Sequence, residues 1–145
     1  MKDNSENPYV PLCPSAQPEM QGSVIFGVIG GTVQRPQVGY LAQPRPVADE
    51  PLIRTLPVHP TEVFRLAAPC AGTACQHFDG VNCRLVTRTV QLLPMATRDA
   101  PPCAIRPECR WWQQEGRAAC LRCPQIVTRN YNPTTTEALA ADPGP

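Results

Sequence analysis

The stretch from Pro69 to Cys123, PCAGTACQHFDGVNCRLVTRTVQLLPMATRDAPPCAIRPECRWWQQEGRAACLRC, holds seven of the chain's eight cysteines. Cys120-x2-Cys123 is a close pair, and Cys103-x5-Cys109 lies a helix length upstream, so these four can converge on one centre. Cys70-x4-Cys75-x7-Cys83 makes a second group that is one ligand short. Cys13 is the expected fourth member and His77 the alternative. Solvent, a substrate or a partner's cysteine are further ways to complete it. The two groups share a pattern: Pro-Cys, four or five residues, Cys, an aromatic pair (His77-Phe78 or Trp111-Trp112), then a third cysteine beside a helix. That pattern suggests an internal repeat of a metal half-site.

Composition explains why such centres are needed. With 145 residues, 19 prolines, 9 glycines and 6% aromatics, the chain cannot easily bury enough apolar surface to offset its chain entropy. Cross-links must contribute. An even number of cysteines could mean disulfides. However, Met1 to Cys13 (MKDNSENPYVPLC) contains no apolar run of the signal-peptide type, and no stretch reaches the 18 or more apolar residues of a membrane span. The expectation is therefore a cytoplasmic, reduced protein without membrane attachment, in which clustered cysteines signify metal or redox chemistry.

Net charge is +1, which leaves no overall footprint for nucleic acid or an acidic membrane. Between Cys70 and Arg129, however, eight arginines face four acids (Asp79, Asp99, Glu108 and Glu115). Two dianionic four-thiolate centres would offset that excess, whichever metal they hold.

Met1–Gly22 reads as an extended, proline-rich segment that Cys13 could pin. Residues 23–129 form one metal-binding domain with its Cys-rich core at 70–129, and 130–145 read as a flexible tail. Ser23–Ile29 and Gln37–Ala42 are expected to pair as a β-hairpin across the Gly30-Gly31 turn. Thr61–Ala68 (TEVFRLAA) reads as a short helix capped by Thr61. Val81–Leu93 reads as a helix with Asp79 as cap and an apolar stripe of Val81, Leu85, Val86, Val90 and Leu93. A third helix is expected from Pro107 to about Ala119, weakened by Gly116. The fold class is thus a small irregular α+β domain, metal-stabilised and Cys-rich, with short helices and one β-hairpin.

Thiolates bind soft or borderline metals. The uneven spacings suit an iron–sulfur cubane (4Fe-4S), whose ligands approach from scattered directions. Zinc, the alternative cofactor, favours paired C-x2–4-C knuckles. Cys123-Pro124 resembles the Cys-Pro ending of bacterial ferredoxin motifs over that dipeptide alone. Phe78, Trp111, Trp112, Leu121 and Ile126 would shield a cluster from water. No P-loop, Rossmann fingerprint, nucleophile elbow or HExxH is present, and the acids form no catalytic pair. Cys13, Cys70, Cys75, Cys83, Cys103, Cys109, Cys120 and Cys123 are the candidate metal ligands, with no catalytic residue assigned. The expected role is an electron carrier, or an accessory subunit delivering electrons to a protein redox partner or larger enzyme. The alternative is a zinc-structured module that binds protein or nucleic acid through the Arg and Trp surface at 106–117.

Overall fold

Alternating β-branched and apolar residues in VIFGVIGG make Val24–Gly31 (β2) the middle of a four-stranded antiparallel sheet. The structure is a computed structural model that describes residues 10–32, 35–126, 128 and 133–144. Part of the expected extended segment, residues 1–9, lies outside those bounds, as do residues 129–132. The sheet contains Leu12–Cys13 (β1), β2, Pro36–Pro46 (β3) and Phe64–Pro69 (β4), in the order β1-β4-β2-β3. The hairpin β2–β3 turns at Gly31, whose φ of +73° suits glycine. β3 carries three prolines and lies on an edge, where a missing N–H breaks no ladder.

Thr61–Ala68 is not a helix. Pro60–Glu62 makes one 3-10 turn, capped by His59 rather than Thr61, and the chain then enters β4. Phe64, Leu66 and Ala68 pack on one face of the sheet, while Arg65 and Ala67 are buried toward the other. The alternation in FRLAA has period two, which is the strand period. β4 has neighbours on both sides, so tertiary pairing overrides the helix propensity of Leu and Ala.

The two faces of the sheet have different cover. Ile25, Leu66 and Ala68 pack with Ala16, Met20, Leu41, Val47, Ile53 and Phe64. Phe26 and Ala67 face the Cys-rich half, with Cys83, Val86, Ile105, Cys109, Trp111 and Ala119. Gly27 lies between strands where an added Cβ would meet Val38 Cγ1 at 2.5 Å, so the close approach of β3 requires glycine.

The expected helix at Val81–Leu93 forms as Arg84–Leu92 (α1), and Cys83 occupies its N-cap. Asp79 does not cap it. Its carboxylate accepts the amides of Val81 and Asn82 in a turn before the helix, and Val81 is left 75% exposed. The helix expected from Pro107 to Ala119 is divided. After a 3-10 turn at Arg106–Glu108 come Arg110–Glu115 (α2) and Arg117–Cys120 (α3). Gly116, at φ +66° and ψ −145°, breaks the helix between them. In the segment read as a flexible tail, Thr135–Ala141 forms helix α4 with a Thr134/Glu137 capping box. α4 packs on α1, where Arg88 Nε donates to the Ala140 carbonyl at 2.8 Å. Among the described residues, no helix is long and apolar enough to cross a membrane.

Leu66 is fully buried on the face away from the cysteines. Leu66→Ala should therefore cost about 3 kcal/mol of stability, measured by urea unfolding, while leaving the thiol clusters on the opposite face assembled.

Candidate functional site

The eight cysteines are free thiols, and they fall into two sets of four. Cys13, Cys70, Cys75 and Cys83 line a cavity of about 510 Å³. Cys103, Cys109, Cys120 and Cys123 line a second, tighter cavity of about 20 Å³. Among the described residues, no three His, Cys, Asp or Glu side chains converge closely enough to hold a single metal ion.

The sheet assembles the first set. β1 pairs with the end of β4, matching Leu12 with Pro69 and Cys13 with Ala68, and the Cys70 amide donates to the Pro11 carbonyl at 2.8 Å. Cys13 is thereby brought beside Cys70, Cys75 and Cys83 although it is remote from them in sequence. The 3-10 turn Gly72–Ala74 reverses the chain between Cys70 and Cys75. A bridge between Phe78 and Cys83 then returns it to α1. His77 lines the same cavity, but Arg88 Nη2 lies 2.8 Å from its Nδ1. Burial, and then the Arg88 charge, lower the pKa of His77 and favour neutral imidazole.

Local turns build the second set. The 3-10 turn Arg106–Glu108 separates Cys103 from Cys109, just as Gly72–Ala74 separates Cys70 from Cys75. Cys109 occupies the N-cap of α2, as Cys83 does in α1. The two halves diverge at the third cysteine, because Cys83 opens a helix and Cys120 ends one.

Burial is the largest influence on most of these thiols. It pushes Cys13 and Cys109 up to about 12 and raises Cys83, Cys103 and Cys120. Backbone amides oppose it: Ser15 on Cys13, Leu85 and Val86 on Cys83, Ile105 on Cys103, and Trp111 and Trp112 on Cys109. The Gly72 amide approaches Cys70 Sγ at 3.5 Å. Sulfurs ringed by N–H donors are arranged to accept negative charge, and metal coordination is what leaves a buried thiol deprotonated.

Arg65 is a candidate site residue that the sequence did not reveal. It is 1% exposed, and its Nη2 donates to the Pro14 carbonyl at 2.9 Å and to Cys123 Sγ at 3.2 Å. Its Nη1 donates to the Cys123 carbonyl. The guanidinium also stacks over the Phe26 ring. No carboxylate pairs with it among the described residues, where the ion pairs are Arg45–Glu50 and Arg117–Asp99. A buried guanidinium stays charged and needs an anion nearby. The donor chemistry therefore fits an anionic thiolate centre at the second set. The only hint in the sequence is a charge inside the apolar alternation of FRLAA.

Two more side chains reach the second set. Arg106 hydrogen-bonds Cys120, and Tyr40 hydrogen-bonds Cys123. Burial, then the Cys123 charge, raises the Tyr40 pKa, which keeps the phenol a donor. Trp111, at 2% exposure, lines both cavities, so its indole is a shared wall. Trp112 is 36% exposed, and Arg106 covers its ring instead of the cavity being closed by it.

In reduced, metal-free protein at pH 8, Cys13 and Cys109 should react with a neutral alkylating reagent more slowly than any other cysteine. Their raised pKa values leave little thiolate. Peptide mass mapping over time reads the order. Comparison with known proteins finds no matching family model, no similar curated protein and no similar solved structure.

Proposed function

We propose that this chain is an iron–sulfur protein with two 4Fe-4S centres, one held by Cys13, Cys70, Cys75 and Cys83 and the other by Cys103, Cys109, Cys120 and Cys123. It acts as a cytoplasmic electron carrier, or as an accessory subunit delivering electrons to a larger enzyme. The observation that carries this reading is the division of all eight cysteines into two sets of four around two cavities. Each set matches the four-thiolate requirement of a cubane.

The uneven spacing of the cysteines along the sequence, with four, five and seven residues between neighbours rather than paired knuckles, favours iron–sulfur over zinc. Zinc bonds of about 2.3 Å to four thiolates draw the sulfurs within about 4 Å of one another. In a cubane each thiolate binds a different corner, so the donors stand farther apart.

When bound, such centres each accept and return one electron. The chain's residues make that possible by holding charge in a largely dry environment. Arg65 and the ring of amides offset the negative charge of the thiolates. Trp111, Phe26 and Ile105, all buried, line the second set and exclude water there. The excess of arginine in this half, with Arg117 exposed beside Asp99, would favour a partner with an acidic face.

A second reading, a zinc-structured interaction module, draws on exposed Trp112 with Arg106 stacked over it. A colourless protein with stoichiometric zinc would favour it.

Anaerobically purified protein should be brown and contain about eight irons and eight sulfides per chain. Cys13→Ser and Cys120→Ser should each remove about half of that iron, because each disables a different set. Full iron content in both variants would defeat the assignment, as would redox-silent protein loaded with zinc. Binding to a redox partner should weaken as salt rises from low to physiological ionic strength, since exposed charges are screened. Titration of the complex at several salt concentrations checks this.

A further inference from the structure

The walls of the first cavity are not equally fixed. Thr89, Leu93 and Trp111 line it and are buried, so they cannot part without unpacking the core. The loop from Cys70 to Phe78 lines it too, and backbone bonds tie that loop at both ends. The Cys70 amide donates to the Pro11 carbonyl, and the Arg84 amide to the His77 carbonyl at 2.7 Å. A further wall comes from the C-terminal segment, where Pro133, Glu137, Ala138, Ala140 and Ala141 line the same cavity. Within α4, Ala140 is buried and Glu137 half-buried, and the other residues are exposed.

A helix of seven residues has little stability of its own. α4 packs on α1, and there Arg88 Nε donates to the Ala140 carbonyl at 2.8 Å. That carbonyl is among the last four of the helix, which have no partner within it. Asp142, just beyond α4, adds its charge to the attraction. The other end of the same guanidinium, Nη2, lies 2.8 Å from His77 Nδ1. A guanidinium can only donate, so His77 accepts. Arg88 thus joins α4 to the stretch between Cys75 and Cys83.

We propose that α4 is the cover of the first cysteine set and Arg88 the latch that keeps it shut, so that metal, oxidant or any other reagent reaches Cys13, Cys70, Cys75 and Cys83 by way of the C-terminal helix. The proposal stands on the cavity and its walls and holds whatever the set binds. Lifting α4 gives up the burial of Ala140 and the Arg88 hydrogen bond, whereas parting the core walls gives up the fold. The second set has no such cover. Phe26, Ile105, Trp111 and Ala119 wall its cavity, all of them core residues.

The test labels reduced, metal-free, full-length protein at pH 8 with N-ethylmaleimide and follows each cysteine by peptide mass mapping. Arg88→Gln should speed labelling of Cys13 and Cys83 about tenfold, as expected for loss of one charge-assisted hydrogen bond. Cys103, Cys109, Cys120 and Cys123 should keep their wild-type rates. A chain ending at residue 132 should behave in the same way. The sign separates a latch from a purely electrostatic role. The Arg88 charge bears on Cys83 and favours its thiolate, so removing that charge without lifting α4 would slow Cys83. Slower labelling of Cys83 with Cys13 unchanged overturns the inference, as do wild-type rates in both variants. Acceleration at all eight cysteines in either variant overturns it too, because α4 would then support the whole fold. Iron and sulfide analysis decides the iron–sulfur reading separately from each of these outcomes.

Discussion

A single buried guanidinium joins the three parts of this molecule. Arg65 belongs to the sheet, Pro14 to the returning N-terminal segment and Cys123 to the last turn of the Cys-rich half, and its hydrogen bonds hold all three together. A buried charge is tolerated only when its hydrogen bonds and counter-charge are supplied. Here two carbonyls and a cysteine sulfur accept from Nη1 and Nη2, while the buried Nε has no partner among the described residues. That requirement constrains the neighbours: β4 must be a strand for residue 65 to face the cysteines, and Phe26 must offer its ring beneath the guanidinium. The same contact is an anchor for the fold and an electrostatic element of the second thiol set.

The apolar cluster between the two sets has a double role of its own. Cys83 of one set and Cys109 of the other lie in one cluster with Val86, Ile105, Trp111 and Ala119. In a chain with so few large side chains, this cluster is also most of what supports the cysteine-bearing face of the sheet. Core and candidate site are therefore the same residues. A substitution that loosens the core should also disturb the thiols, except on the far face around Leu66, where the packing is separate.

Much of the arrangement was legible in the sequence because cysteine spacing is a local signal. The Cys120/Cys123 pair and the proline-flanked Cys103 and Cys109 pointed to one group, and the missing fourth member of the other group pointed to Cys13. The hairpin was legible from Val24–Gly31 and its glycine turn. Helix α1 was legible from its apolar stripe, with its start displaced because Cys83, not Asp79, occupies the N-cap. Residues 61–68 were misread because Leu and Ala carry helix propensity, whereas a central strand is decided by its neighbours. Arg65 and Tyr40 could not be found from spacing at all. Their role depends on which face of a strand they occupy and on what a distant turn brings against that face.

The two-residue strand β1 has a consequence for the order in which the molecule is completed. Cys103 to Cys123 close through short local loops, whose entropy is modest. Cys13 reaches its partners only by pairing with β4, which itself must be paired with β2. The second set can thus begin to gather through local closure, its sheet contacts with Arg65, Tyr40 and Leu12 following, whereas the first exists only after the sheet does. Assembly of the first set is therefore a report that folding has finished, and loss of the segment through Cys13 would leave that set with three cysteines.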